Sequence, residues 1–181
     1  CIVNRFHTMD QILMRMLKDS NNLYAESMYY QLAAATGSRP ATAKHAREAE
    51  RVLLRKVGLN PANYRLADGS GLSLYNYLSA EAEVKLLRYA YQNDNIFHHL
   101  YQALPIAGVD GTLKKRMRST FARNNVRAKT GTLTGISSLA GYCKAANGHW
   151  LCFAIINQGV MHARNAKNFQ NRVCTILCAP N

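Results

Sequence analysis

The sequence predicts an α+β fold: helices come first, an antiparallel three-stranded meander follows, and a helix closes the chain. Three observations support this order. Up to about Val109, apolar residues recur at the spacing of a helix. After Val109, three apolar stretches separated by turn residues indicate strands. From about 162 the helical spacing returns.

Four helices are predicted in the first part of the chain. The first carries apolar residues at helical spacing and ends at Gly37 and Pro40, which cannot continue it. The third begins after Ser79, whose side chain can cap the helix start. Glu81 and Glu83 follow in the first turns, where the helix dipole favours acidic residues. The four predicted spans are 20–35, 41–57, 79–91 and 95–103.

The strands are predicted at 126–134, 137–145 and 149–157. Asn147-Gly148 between two apolar runs is a strong hairpin signal, because both residues tolerate the positive φ of a tight turn. The closing helix is predicted at 162–178. Its apolar side is expected to carry Ala166, Phe169, Val173, Ile176 and Leu177.

Composition favours one folded domain over 1–181. The chain is 48% apolar and 18% charged, which is typical of a globular protein and not of a disordered one. It holds no apolar run of the length that a membrane-spanning helix needs.

The net charge of +13 is unevenly distributed. The last acidic residue is Asp110, whereas eleven lysines and arginines lie between Lys114 and Arg172. Such a region attracts polyanions: nucleic acid, anionic lipid or an acidic polymer. The sequence has no zinc-finger spacing, RGG tract or basic-aromatic ribbon, so nucleic acid is not expected as a partner. The alternative is that the basic residues form a solvent-exposed face that binds no partner.

The five cysteines leave at least one thiol unpaired within the chain. Cys143 and Cys152 flank a turn and could face each other across a hairpin, although small buried hydrophobes are the favoured interpretation. No His or Cys spacing fits a metal site, so neither a metal nor a cofactor is expected.

Two short motifs carry the candidate chemistry: Ser20-Asn21-Asn22 at a helix start and Lys129-Thr130-Gly131 on a strand. Each alone has a structural explanation, since Ser and Asn cap helices and Lys-Thr-Gly is common by chance. Ser-x-Asn and Lys-Thr-Gly together, however, belong with Ser-x-x-Lys to the motif set of serine β-lactamases and penicillin-binding proteins.

Longer segments make the resemblance specific. The chain resembles the class C penicillin-binding proteins, which are serine D-alanyl-D-alanine carboxypeptidases/endopeptidases of peptidase family S13. The resemblance implies part of a β-lactamase/penicillin-binding-protein transpeptidase-like fold. The segments that carry it, in order, are Asp19–Ser27, Asp68–Ser73, Val109–Leu113, Ala128–Leu133 and Gly135–Tyr142.

The same residues suit acyl transfer from a peptide. The hydroxyl of Ser20 can relay a proton to the leaving nitrogen, and the Asn22 amide can hold a substrate carbonyl. Lys129 can attract a terminal carboxylate. These three are the expected catalytic residues.

Substrate binding is expected from the residues after Lys129. Thr130 can donate a hydrogen bond to the substrate carboxylate, and Gly131 leaves room for the substrate backbone. Thr132 can donate its backbone N–H to the oxyanion. A peptide laid along this strand would extend the sheet.

One part of the family pattern is absent: no serine in the 181 residues is followed three positions later by lysine. The nearest form, Thr112 to Lys115, has the wrong hydroxyl. The chain is therefore expected to be a C-terminal part that does not acylate alone. A non-catalytic module that binds peptidoglycan or a partner protein is the alternative. A class A β-lactamase is disfavoured because no glutamate is followed three positions later by asparagine.

The resemblance implies peptidoglycan stem peptides and β-lactams as ligands, and a periplasmic or other extracytoplasmic location in the bacterial envelope. The basic region could in addition associate with anionic envelope polymers. The oligomeric state is left open.

Overall fold

The computed structural model describes residues 6–180, so Cys1 lies outside the described part. The helices are α1 (Met9–Lys18), α2 (Asn22–Ala35), α3 (Ala43–Lys56), α4 (Ala80–Tyr91), α5 (Asp94–Ala103) and α6 (Ala163–Cys178). The strands are β1 (Arg127–Leu133), β2 (Ile136–Lys144) and β3 (Trp150–Gln158). Short 3₁₀ turns occupy Pro61–Asn63 and Gly111–Leu113.

The predicted α+β order is confirmed, and the predicted strand bounds differ from the observed ones by one residue at every end. The strands form an antiparallel meander in the order β1-β2-β3, with Thr130 opposite Leu139 and Leu139 opposite Ile155. The chain reverses at Thr134-Gly135 between β1 and β2 and around Asn147-Gly148 between β2 and β3, as the hairpin signals predicted.

Helix α1 was missed by the sequence prediction. Thr8 accepts a hydrogen bond from the Gln11 backbone N–H, and the Gln11 side chain accepts one from the Thr8 backbone N–H. This reciprocal capping box satisfies two donors that a helix start would otherwise leave free. The Thr-x-x-Gln pattern followed by apolar residues was the signal that could have revealed the helix.

Helices cover both faces of the sheet. On one face, α6 packs against β2, and the core there includes Leu139, Cys143 and Cys174. On the other face, Tyr142 packs against Phe97 of α5, and its hydroxyl donates to the Leu87 carbonyl of α4 at 2.7 Å. The sheet is thus the middle of three layers, and β1 lies at its edge.

The predicted apolar side of α6 is confirmed for Ala166, which is buried, and for Leu177, which packs on the core. It is wrong for Phe169 and Ile176, which are 53% and 71% exposed. The side that packs on the sheet also carries Gln170, Cys174 and Cys178. Gln170 can be buried because its amide donates to Ser137 and Asn157 and accepts from Arg116. A prediction from the spacing of apolar residues cannot place a glutamine in the core, so it favoured the adjacent side of the helix, which carries Phe169 and Ile176.

The expectation that the cysteines are small buried hydrophobes is confirmed for Cys143, Cys174 and Cys178. Cys143 and Cys152 do not face each other, because Cys143 lies opposite Leu151 and Cys152 lies opposite Tyr142. Adjacent positions of a strand point to opposite faces of the sheet. Both thiols are free.

Within residues 6–180, no helix combines the length and the apolar character that crossing a bilayer requires. The same residues bring together no group of three or more His, Cys, Asp or Glu side chains suited to a metal. The expected absence of metal and cofactor stays a prediction.

Candidate active site

A tight turn between α1 and α2 presents Ser20. Its φ of 54° lies in the left-handed region, which few residues other than glycine, asparagine and aspartate adopt. Helix α2 begins only at Asn22, and the side chain of Asn21 caps it by accepting from the Tyr24 N–H at 3.2 Å. The helix start was predicted at Ser20, but Asn21 performs the capping. The Ser20 hydroxyl is therefore free for other contacts.

Lys129 is the partner of Ser20. Its ammonium donates to Ser20 Oγ at 2.8 Å and to the Thr130 carbonyl at 2.6 Å, across 109 positions of sequence. Among residues 6–180, no carboxylate oxygen lies within 4.0 Å of this nitrogen. Burial lowers the pKa of Lys129 below its ordinary value, because no neighbouring negative charge compensates for the lost hydration.

Asn22 lies at the first position of α2 and is exposed, two residues after Ser20. The structure thus brings Ser20 and Lys129 into direct contact, whereas the exposed Asn22 side chain forms no hydrogen bond with either of them. An exposed amide at this position is able to meet a ligand without first losing an internal hydrogen bond.

Thr130 and Thr132 point to the opposite side of β1 from Lys129, since side chains alternate along a strand. The Thr130 hydroxyl donates to Thr112 Oγ1 at 3.0 Å, and Thr132 is exposed. Apart from an isolated bridge between Arg127 and Ile106, the outer edge of β1 pairs with no other strand in the described residues.

Position 131 requires a glycine for a structural reason that the sequence did not indicate. It pairs with Ser138 of β2, and a Cβ on Gly131 would clash with the Ser138 hydroxyl. Any larger residue here would displace that side chain or bend the strand. Gly131 therefore keeps β1 flat against β2 beside Lys129, in addition to any room that it leaves for a ligand.

The contact between the end of α1 and the Val109–Leu113 segment, just before Ser20, was also not predicted from the sequence. Lys18, at the end of α1, donates to Asp110 Oδ2 at 2.6 Å and to the Leu104 carbonyl at 2.9 Å. The other oxygen of Asp110 accepts from the Ile106 N–H at 2.8 Å. Gly111 allows this close approach, because a Cβ there would lie 2.8 Å from the Lys18 carbonyl. The Val109–Leu113 segment thus fixes the end of α1 immediately before Ser20.

The Asp68–Ser73 loop supports α2 from the other side. Asp68 accepts from the N–H groups of Gly71 and Ser73 and from the Asn76 amide, at 2.7–2.9 Å. Burial alone would raise the pKa of this carboxyl, but these hydrogen bonds outweigh burial and lower it. The loop is tied to α2 by the Ser70 N–H, which donates to Glu26 at 2.9 Å.

A family model decides the relationship. The model described as the D-Ala-D-Ala carboxypeptidase 3 (S13) family matches residues 3–179. The chain belongs to this family. The resemblance that the motifs predicted is therefore confirmed.

Curated members of the S13 family are similar in sequence. D-alanyl-D-alanine carboxypeptidase DacB of Haemophilus influenzae is 38% identical over 144 residues, which cover 78% of this chain and 30% of that protein. A D-alanyl-D-alanine carboxypeptidase of Actinomadura sp. is 38% identical over 160 residues, or 83% of this chain and 28% of that protein. The chain thus spans about three tenths of the length of these relatives.

A solved member of the family confirms the predicted fold. The crystal structure of penicillin binding protein 4 (dacB) from Haemophilus influenzae, complexed with a β-lactam, matches with a TM-score of 0.84 and 31% identity. The match covers 93% of this chain and 41% of that one. The class A β-lactamase alternative is set aside, since the matching family is S13.

Proposed function

We propose that this chain forms one wall of the cleft of a serine D-alanyl-D-alanine carboxypeptidase/endopeptidase that acts on peptidoglycan stem peptides. The nucleophilic serine would come from a segment outside these 181 residues. The observation that carries the proposal is the contact between Lys129 Nζ and Ser20 Oγ at 2.8 Å, because it joins two of the family's motifs in one site.

The contact provides a path for a proton. Ser20 Oγ accepts from Lys129, so its own hydrogen is free to be donated in another direction. Facing the scissile bond, Ser20 would donate this hydrogen to the departing D-alanine nitrogen and take a replacement from Lys129. The lowered pKa of Lys129 makes that transfer easier, since a less basic ammonium gives up its proton more readily.

The neighbouring residues suit the rest of the substrate. Thr130 and Thr132 lie two residues apart on the side of the edge strand opposite Lys129, where their hydroxyls would bind the terminal carboxylate of a peptide that lies along the outer edge. The Thr130 hydroxyl would turn from Thr112 to this carboxylate. The backbone N–H of Thr132 would stabilise the oxyanion, and Asn22 would hold the substrate's peptide carbonyl. A stem peptide would add to the outer edge of β1, so that backbone hydrogen bonds supply much of the affinity.

Two features support a catalytic partner segment. The 181 residues contain no Ser-x-x-Lys. Phe169 and Ile176 of α6 are exposed, and β3 forms the far edge of the sheet in the described residues, with no strand beyond it. Apolar side chains and an unpaired edge are surfaces that a protein normally covers. We therefore expect no acyl-enzyme from this chain alone.

The location and the further ligands follow from the substrate. Peptidoglycan implies a periplasmic or other extracytoplasmic site of action. β-Lactams would acylate the same serine by opening of their ring and would hold the enzyme as a stable ester. The basic region from 111 to 180, which contains no acidic residue, would favour association with anionic envelope polymers.

Fluorescent penicillin tests the proposal. It would be applied to this chain and to the gene product that includes the preceding coding sequence. Covalent labelling of the longer product only is the expected result. In that product, Ser20→Ala and Lys129→Met should each slow labelling by about 10²-fold or more. Lys144→Met, on an exposed lysine of the same sheet, should label at the wild-type rate and serves as the matched control. Undiminished labelling of both site variants would refute the proposed roles.

A second function is favoured by the missing Ser-x-x-Lys alone: a non-catalytic module that binds peptidoglycan or a partner protein with an inactive cleft. The same experiment separates the two. If neither form is labelled while the chain is retained on purified peptidoglycan, the module is the better description.

A further inference from the structure

A cavity of about 310 Å³ lies between α3 and the segment 61–66. Arg47, Glu50 and Arg51 line one wall, since residues three and four apart share one face of a helix. Tyr64 and Arg65 line the opposite wall. None of these residues contacts Ser20 or Lys129, so the cavity is separate from the candidate active site.

The cavity is electropositive. Among residues 6–180, none of its three arginines has a carboxylate oxygen within 4.0 Å. Three arginines line this one small cavity, although the Arg65 guanidinium also lies over the Tyr75 ring at 5.1 Å, and a bound anion would lower the repulsion among their charges. A guanidinium presents its N–H groups as a fork that matches the oxygens of a phosphate or a carboxylate.

Glu50 adds a second, independent observation. One oxygen of its carboxyl, Oε2, is buried and has no hydrogen-bond partner in the described residues. Burial, together with the charge of Asp68, raises the pKa of Glu50 to about 7, although Arg47 opposes this. Near neutral pH a large fraction of the carboxyl is thus protonated and can donate a hydrogen bond. Oε2 is sealed from solvent, whereas Glu50 also lines the cavity, so an acceptor bound there would meet the other carboxyl oxygen.

These features select the ligand. A carboxylate has two oxygens, whereas a phosphate has enough to accept from several guanidiniums and from a protonated carboxyl at once. The volume is at the lower end of the range for small-molecule sites. We propose that this cavity binds a small organic phosphomonoester, with Arg47, Arg51, Arg65 and the Glu50 carboxyl on the phosphate oxygens.

The proposal makes binding dependent on pH. The groups that face Glu50 are Tyr29 of α2, Arg47 and Arg51 of α3, Tyr64, Arg65 and Asp68. Of these, none of the arginines or tyrosines changes charge between pH 6 and pH 8 under ordinary conditions, and Asp68 is already ionised because its pKa is lowered. Deprotonation of Glu50 would therefore weaken the binding of a dianion as the pH rises through about 7.

Isothermal titration calorimetry on the 181-residue chain tests the site with three probes: glycerol 3-phosphate, sulfate and acetate. Sulfate is a dianion throughout this pH range, so that only the protein titrates. Glycerol 3-phosphate should bind with one-to-one stoichiometry, and acetate should not bind measurably. The Kd for sulfate should rise about tenfold from pH 6 to pH 8, as expected for one group with a pKa near 7.

Variants identify the residues. Arg51→Ala and Arg65→Ala should each weaken glycerol 3-phosphate binding by about tenfold or more. Glu50→Gln should remove the pH dependence of sulfate binding. Arg55→Ala, on the same helix but outside the cavity, is the control and should bind as the wild type does. Circular dichroism checks that each variant is folded, and either arginine variant suffices if the other unfolds.

The proposal is overturned by any of four results. The first is the absence of binding by both glycerol 3-phosphate and sulfate. The second is equal affinity for acetate, which would indicate unspecific attraction of anions. The third is a pH dependence that survives in Glu50→Gln. The fourth is a loss in Arg55→Ala as large as that in Arg51→Ala.

Discussion

Two partly buried lysines near Ser20 differ in their partners. Lys18, below the turn, contacts the Asp110 carboxylate at 2.6 Å. Lys129, on the strand, contacts a hydroxyl and a carbonyl at 2.8 and 2.6 Å and no carboxylate in the described part of the chain. A compensated ammonium stabilises the fold, whereas an uncompensated one costs free energy and gives up its proton more easily. Lys18 thus has a carboxylate that compensates its charge, whereas Lys129 has none among the described residues.

The largest effect on stability is expected from Asp110→Ala. The substitution leaves the mostly buried ammonium of Lys18 without its carboxylate and removes the acceptor of the Ile106 N–H. The free energy of unfolding should fall by about 2–3 kcal/mol, as measured by urea denaturation. A loss below about 0.5 kcal/mol would show that the contact between α1 and the Val109–Leu113 segment does not depend on this pair.

A smaller loss is expected from Lys18→Met, because Asp110 is about one third exposed and keeps its hydrogen bond from Ile106. Unfolding should become easier by about 1–2 kcal/mol. Thermal denaturation of Lys18→Met and Asp110→Ala side by side checks the order, which the comparison requires to be Asp110 before Lys18.

Lys129→Met should change the free energy of unfolding by less than about 1 kcal/mol at neutral pH, since the methionine loses two hydrogen bonds but no longer buries a charge. If this variant were as destabilised as Asp110→Ala, the distinction between the two lysines would fail.

The pH dependence of the free energy of unfolding tests further whether the charge of Lys129 is uncompensated. The pKa of Lys129 is lower in the folded state than in the unfolded chain. Between these two pKa values the unfolded chain binds more protons, so the stability of the wild type should rise with pH in that window below about 10.5. Subtracting the unfolding curves of Lys129→Met isolates this contribution, and the free energy of unfolding of the wild type should rise relative to that of the variant as the pH rises through this window.

The smallest effect is expected from Glu81→Ala, which removes an exposed ion pair with Lys85 at 2.9 Å one helical turn away. Such pairs contribute about 0.5 kcal/mol or less, because water screens both charges. Glu81→Ala is therefore the reference for an ion pair that the fold does not require. A loss as large as that of Lys18→Met would show that burial is not the reason for the larger contribution of the pair between Lys18 and Asp110.

Short-range signals in the sequence located most elements. Asn147-Gly148 and the Ser79 cap work through the few residues around them, so the meander and α4 could be predicted. The packing side of α6 could not, because the burial of Gln170 depends on Ser137, Asn157 and Arg116, which are distant in sequence. Helix α1 carried a readable capping box that was overlooked.

The candidate site shows the same division. The motifs named Ser20 and Lys129, whose contact the structure displays. They did not indicate that Ser20 lies outside the helix with a positive φ, or that Lys18 and Asp110 hold the turn in place. Those features depend on α1 and the 110–113 segment approaching each other, which no local pattern encodes.

The outer edge of β3 has a practical consequence. Main-chain amides and carbonyls along Trp150–Gln158 can join any extended polypeptide, whatever its side chains. The isolated chain should therefore self-associate as its concentration increases, and dilution or an added complementary strand should reverse this. Handling the protein at low micromolar concentration would keep such aggregates from obscuring a binding measurement.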